Sequence, residues 1–218
     1  MMTRILRPAA AAAAALLALG TMAEPAQSQV NQDKTQMEKP DQMRMEQMMG
    51  GWPKASKEAA MFMTKKYGPP AAMSKDLMVW GKTGPWKRTI VYAQEYPHEF
   101  PAYHTDVMQQ FIDYKAPADM YDELAMYDGS VVVERTSGEI SARCDKEGAN
   151  FLALNLANDI VTGKLSVKEA RKMYGEQAMA MKAKQPAPYT EKLLFQAQAG
   201  GTADPGRALM KGMNESKQ

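Results

Sequence analysis

The chain has 218 residues, of which 45% are hydrophobic and 24% charged. Its 27 basic and 25 acidic side chains leave a formal charge of +2. Two of the basic side chains, Arg4 and Arg7, belong to residues 1–23, which contain no acid, so the rest of the chain is formally neutral. A neutral chain lacks the positive field that attracts nucleic acids, and nucleic acid is therefore excluded as the expected partner.

The N-terminal segment has the pattern of a secretory signal peptide. Arg4 and Arg7 precede the apolar run 9–19, which is shorter than the roughly 20 residues of a membrane helix. Small residues predict cleavage after Ala23, with a second candidate cut after Ser28. We therefore expect a signal peptide at 1–23 and an exported protein, periplasmic or secreted, with no membrane span after signal removal.

The residues that follow the signal predict a flexible leader over 24–51. This stretch is rich in Gln, Asp, Lys and Met and has few branched or aromatic side chains. Its methionines are Met37, Met43, Met45, Met48 and Met49. Thioether sulfur is a soft ligand that selects Cu(I), whereas methionine also fills irregular cores. Copper binding by the leader is therefore one hypothesis, and ordinary packing is its alternative.

The other end of the chain predicts a loosely ordered tail over 183–218, because Ala, Gln, Pro and Gly dominate it. Residues 52–182 remain between the leader and the tail. Their number is usual for a single domain with one core.

The first half of that domain predicts a helix, a hairpin and a second helix. Helical spacing runs from Ser56 to Lys66, and "DLMVW" and "WKRTIVYA" read as two strands joined by the turn "GKTGP". A loop then covers 98–106. Apolar residues recur at helical spacing over 107–112, which predicts a short helix there.

The second half predicts the same alternation. A helix follows Pro117, "SVVVERTSGEISARC" reads as a hairpin, and an apolar helix spans 147–161. Ser166 and Glu169 form a capping box that begins a last helix through about residue 181. The predicted fold is α+β: an antiparallel sheet built from two β-hairpins, covered by about five helices, with flexible N- and C-terminal tails.

Both histidines of the chain lie in the stretch "HEFPAYHTD", which is the best candidate for a metal site. His98, His104 and Asp106 carry the imidazole and carboxylate ligands that zinc or copper uses. The alternative is that this stretch has only a structural role, because Pro97 and Pro101 suit turns and Asp106 suits the start of the helix predicted at 107.

A second candidate site combines Trp86, Arg88 and Asn150 as ligand-binding residues. An aromatic ring beside cations can hold an anionic group or a sugar ring. Asn150 falls inside the apolar arc of its helix, so its amide either ties down the preceding loop or lines a pocket. The structural alternative is a hairpin turn with Trp86 in the core.

The sequence contains no catalytic motif that would indicate an enzyme. The sequence has no glycine-rich phosphate loop, no nucleophile elbow and no helical His-Glu-x-x-His. Cys144 is the only cysteine, and the alternation of its strand predicts a buried, inert thiol. The leading expectation is a non-catalytic domain that binds an envelope protein or a small ligand. The alternatives are a metal-binding protein or metal-dependent hydrolase built on the histidine loop, and the copper-binding leader.

Overall fold

The computed structural model describes residues 39–198 and 200–210. The predicted signal peptide, its two cleavage sites and the first part of the predicted leader lie outside the described residues.

The centre of the fold is a six-stranded sheet in which every neighbouring pair is antiparallel. The strands are β1 (Ala72–Met73), β2 (Leu77–Trp80), β3 (Arg88–His98), β4 (His104–Asp113), β5 (Val131–Glu134) and β6 (Glu139–Cys144). Their order in the sheet is β1-β2-β3-β4-β6-β5. The predicted hairpins are β2–β3 and β5–β6, and the predicted α+β class is confirmed.

The described residues form five helices: α1 (Lys39–Met48), α2 (Lys54–Tyr67), α3 (Tyr121–Tyr127), α4 (Glu147–Val161) and α5 (Val167–Lys182). Short 3-10 turns cover Ala118–Met120 and Pro188–Thr190. The capping box at α5 forms as predicted, since the Glu169 backbone N–H donates to Ser166 Oγ over 3.3 Å and the Ser166 N–H donates to Glu169 Oε2 over 2.8 Å. None of the helices in the described ranges is both long and apolar enough to cross a membrane.

The helix predicted over 107–112 is wrong, because this segment belongs to β4. This strand pairs with β3 on one side and β6 on the other, and both of its faces are largely buried. A strand buried on both faces carries apolar residues on both, and here Gln109 and Gln110 separate two apolar pairs by the spacing of a helix. Gln110 is also fully buried, where it accepts from Asn150 Nδ2 over 3.0 Å and donates to Thr89 Oγ1 over 3.3 Å.

The structure describes residues 39–51 of the predicted flexible leader (24–51), and there it differs from the prediction. Residues 39–48 form α1, and the side chains of Met45 and Met49 are 5% and 6% exposed, in a core cluster with Trp52. The Thr64 hydroxyl donates to the Met45 sulfur over 3.3 Å. These two methionines therefore fill a core, and Met43, at 65% exposed, faces outward.

The tail predicted as loosely ordered over 183–218 is held against the domain in its described part. Buried Asn155 on α4 donates to the carbonyls of Tyr189 and Lys192 over 2.9 and 2.8 Å, and its Oδ1 accepts from the Leu194 N–H over 2.7 Å. Further along, Thr202 is 4% exposed. This buried amide thus makes three hydrogen bonds to a segment whose composition alone suggests no order.

Candidate metal centre

The candidate metal centre lies at the end of the β3–β4 hairpin. In this register His98 pairs with His104 and Tyr96 pairs with Asp106. Directly opposed residues of an antiparallel pair have Cβ atoms about 4.5–5.5 Å apart, and residues two apart on one strand share a face. Strand pairing therefore brings both imidazoles and the carboxylate together.

The side chains of His98, His104 and Asp106 converge on one point. The distance from His98 Nδ1 to Asp106 Oδ2 is 3.3 Å, and the distance from His104 Nε2 to Asp106 Oδ1 is 3.2 Å. One ligand atom from each residue lies within 4.8 Å of the other two. Ligands bound tetrahedrally to zinc lie about 3.3 Å apart, so small movements of the rings suffice to hold an ion.

Each of these three residues carries a buried polar atom that makes no hydrogen bond of acceptable geometry: His98 Nδ1, His104 Nε2 and Asp106 Oδ1. Such atoms are rare in folded proteins, because leaving one unpaired costs about 1–3 kcal/mol. Here the three atoms belong to side chains in close contact, with His104 Nε2 3.2 Å from Asp106 Oδ1 and His98 Nδ1 3.3 Å from Asp106 Oδ2. That arrangement is typical of ligands that share a cation.

The outer nitrogen of each imidazole faces an oxygen atom. His104 Nδ1 lies 2.8 Å from the carbonyl of Ala102, which accepts only, so this nitrogen carries a hydrogen. His98 Nε2 lies 3.6 Å from Asp128 Oδ1. Histidine ligands of metals characteristically present their second nitrogen to a carbonyl or carboxylate, which leaves the inner nitrogen free to bind.

The electrostatic surroundings favour a positive charge at this point. The Asp106 carboxylate, then the Cys144 thiol and the Ala102 carbonyl, raise the pKa of His104 to about 11 against the opposing effect of burial. When no metal is bound, His104 is thus a cation beside Asp106, which is only 3% exposed. A metal ion must displace the proton on His104 Nε2, and binding should release it.

Aromatic side chains anchor the hairpin end to the helices. The Phe100 ring lies 5.0 Å from the Tyr174 ring on α5, and the Arg171 guanidinium lies 3.8 Å from the Phe100 ring. Arg171 also donates to the Tyr127 carbonyl. The loop between His98 and His104 is therefore held in place by packing against α3 and α5.

Cys144 is a free, buried thiol, as the sequence predicts. Burial raises the pKa of this thiol, although His104 lowers it in part. Cys144 pairs with Met108, so it lies on the same face of the sheet as Asp106 and His104. A protonated thiol of this kind is a poor nucleophile, which agrees with the inert role predicted for it.

The predicted ligand-binding residues Trp86, Arg88 and Asn150 all have protein partners. Trp86 is fully buried and donates from Nε1 to Glu147 Oε1 over 2.8 Å. Arg88 donates to both Glu139 oxygens over 2.7 and 2.5 Å. Asn150 donates to the Met108 carbonyl over 3.0 Å, and so ties α4 to β4. Trp86 thus lies in the core as its structural alternative predicts, whereas Arg88 pairs with an acid and Asn150 holds β4 instead of the loop before its helix. Ligand binding by the three residues stays a prediction.

The structural alternative for Asp106, an acid at the start of a helix, is excluded because β4 continues through it. Sequence reasoning also missed Asp128, since it lies far along the chain from the histidines. No alternation of polar and apolar residues over 104–108 marks this segment as a strand, and no local pattern links it to Asp128.

Comparison with known proteins adds nothing to these observations: no family model, no curated protein and no solved structure matches this chain.

Proposed function

We propose that this protein binds one divalent transition-metal ion, zinc in the first place, through His98, His104 and Asp106. The observation that carries the proposal is the convergence of three buried polar atoms, one from each residue, that have no hydrogen bond. Imidazole and carboxylate are established zinc ligands.

The donor set favours zinc over Cu(I), the copper species considered for the leader. Cu(I) prefers thiolate and thioether sulfur, whereas these three donors are two nitrogens and an oxygen. The methionines of the leader that the structure describes as buried, Met45 and Met49, pack in a core. Zinc is therefore the first ion to test.

Three protein ligands leave one position for water or another small ligand. The histidine side chains are 19% and 18% exposed, so the centre opens partly to solvent. Catalytic zinc sites have this arrangement, whereas structural zinc sites are closed by four protein ligands. Hydrolysis by a zinc-bound water is thus a second proposal, which rests on the open position. Export of the protein, and a non-catalytic role toward an envelope protein or small ligand, are further proposals that rest on the sequence alone.

Zinc titration of purified protein, followed by melting temperature and elemental analysis, tests metal binding. We expect one equivalent of zinc in the wild type and a stabilisation of about 2.7 kcal/mol at a free zinc concentration of 100 Kd, because the ion binds only the folded state. His104→Ala and Asp106→Asn should each remove most of this stabilisation.

Tyr103→Ala is the matched control, since Tyr103 lies in the same loop and is 67% exposed. It should bind zinc like the wild type. If the wild type melts at the same temperature with zinc and with chelator, the metal proposal is wrong. The cluster is then an ion pair between protonated His104 and Asp106.

A further inference from the structure

Asp128 is a buried carboxylate on the opposite side of the His98 ring from Asp106. Its side chain is 1% exposed, and its Oδ1 lies 3.6 Å from His98 Nε2. The other ring nitrogen, Nδ1, lies 3.3 Å from Asp106 Oδ2. The His98 imidazole is thus placed between two carboxylates, of which only Asp106 belongs to the ligand cluster.

The Asp128 carboxylate is fixed independently of the hairpin that carries His98. Asp128 directly follows α3, and its backbone N–H donates to the Leu124 carbonyl over 3.2 Å. Its Oδ1 accepts from the backbone N–H and from the hydroxyl of Ser130, both over 2.8 Å. The turn between α3 and β5 therefore sets the position of this oxygen before any ion binds.

A fixed oxygen next to Nε2 decides which nitrogen of neutral His98 carries the hydrogen. A neutral imidazole has one N–H and one lone pair, and only the lone pair binds a metal. Asp106 Oδ2 competes for this hydrogen from 3.3 Å at Nδ1, but the Asp106 carboxylate is shared with His104 Nε2 at 3.2 Å. Asp128 therefore attracts the N–H to Nε2, which leaves the lone pair on Nδ1 facing Asp106. The present separation of 3.6 Å is longer than a hydrogen bond, so a ring movement of less than about 1 Å would complete the contact.

We infer that Asp128 is the positioning residue for His98: it selects the form of the imidazole that binds metal and couples the metal centre to the α3–β5 turn. This inference rests on the proposed metal-binding function. His104 receives the equivalent contact from the Ala102 carbonyl, which no side-chain substitution removes. Asp128 is thus the outer contact of the centre that mutation can test directly.

The first test measures zinc affinity by competition with a chelator in Asp128→Asn and Ser130→Ala. Asparagine keeps the shape of the turn but presents either an N–H or a carbonyl to His98, so it no longer selects one form. We expect Asp128→Asn to weaken zinc binding about 10- to 100-fold with one bound equivalent retained, the usual effect of losing such a contact. Ser130→Ala removes one hydrogen bond of the same turn and keeps the carboxylate, so it should bind much more tightly than Asp128→Asn. Equal losses in the two variants, or no loss in Asp128→Asn, overturn the inference.

The second test uses nitrogen NMR of the His98 ring in chelator-treated protein and needs no bound metal. We expect the ring hydrogen on Nε2 in the wild type and a shift toward Nδ1 in Asp128→Asn, with the His104 ring unchanged. A hydrogen on Nδ1 in the wild type overturns the inference, and this measurement decides even if Asp128→Asn does not fold. If the wild type fails to bind zinc but shows the hydrogen on Nε2, the proposed function has failed while the role of Asp128 in orienting His98 stands.

Discussion

Glu147 and Asp106 are both buried carboxylates, but they differ in their hydrogen bonds. Glu147 is 5% exposed, and its carboxylate accepts from Lys66, from the Tyr67 hydroxyl over 2.6 Å and from Trp86 Nε1 over 2.8 Å. Its hydrogen bonds are therefore made within the protein, and they explain its burial. Asp106 is also buried, yet one of its oxygens has no hydrogen bond. Glu147 therefore stabilises the fold, whereas Asp106, with His98 and His104 beside it, keeps an oxygen free for a cation.

The Glu147 carboxylate should make the stability of the protein depend on pH. Burial raises the pKa of this group, but the donors from Lys66, Tyr67 and Trp86 together outweigh burial and lower the pKa below its usual value of 4.5. A lowered pKa contributes stability that is present above the unfolded-state pKa and is lost as the pH falls through the folded-state pKa. Glu147→Gln should therefore destabilise the protein at neutral pH, and the difference from the wild type should shrink below about pH 4.5.

Urea unfolding of both proteins between pH 3 and pH 7 measures this difference. Glu58→Gln is the control, because Glu58 meets Lys54 in an exposed pair at 3.7 Å that should contribute little. A Glu147→Gln difference that stays constant over the whole pH range would contradict the assignment.

At the scale of secondary-structure elements, α4 is the central helix of the larger core cluster. It carries Leu152, Leu154 and Leu156, which are at most 1% exposed, and it contributes Asn150 and Asn155 to the contacts with β4 and the tail. Its predicted bounds match the observed ones because its apolar character extends around most of its circumference and needs no partner to be recognised.

Leu156→Ala should lower the free energy of unfolding by about 2–5 kcal/mol, because a buried leucine leaves a cavity that its neighbours fill only in part. The matched control is Leu194→Ala, since Leu194 is 47% exposed and its loss should change stability by about 0.5 kcal/mol or less. Thermal and urea unfolding compare the two variants. Equal effects would show that α4 does not form the core.

The β3–β4 hairpin shows how an element determines a site. Its residues were recognised as candidate ligands, but the prediction placed them in an irregular loop followed by a helix. Because His104–Asp113 is a strand, His104 and Asp106 share a face and His98 lies opposite. The geometry of the centre is therefore a property of strand register and not of the loop between the strands.

At the scale of the whole molecule, the tail closes over the turn of the β5–β6 hairpin. Gly138 has φ +66°, and a Cβ atom on it would lie 2.1 Å from the carbonyl carbon of Thr202. Arg135 and Asp204 also meet there, with the Asp204 N–H donating to the Arg135 carbonyl over 3.0 Å. The tail thus approaches too closely for any side chain at residue 138.

Gly138→Ala should destabilise the protein more than Gly163→Ala, and this pair separates two effects. Gly163 also has a positive φ, +72°, but nothing lies within 4 Å of a Cβ placed there. Gly163→Ala should show the conformational cost alone, about 1–2 kcal/mol. Gly138→Ala should add displacement of the tail, seen as faster proteolysis after residue 182 together with a lower melting temperature. Similar values for the two variants, with no change in proteolysis, would mean that the tail is not held at the hairpin.

The sequence by itself determined the features that depend on neighbouring residues: the capping box of α5, the apolar helix α4, the hairpins β2–β3 and β5–β6, and the residue types of the metal candidate. Only the tertiary structure decided that β4 is a strand, that α1 and the tail pack, and that Asp128 faces His98. The physical reason is that each of these depends on partners distant in the chain. Backbone pairing with β3 and β6 outweighs helical spacing in β4. Buried Asn155 supplies three of the hydrogen bonds that hold the tail, and the position of Asp128 follows from the α3–β5 turn.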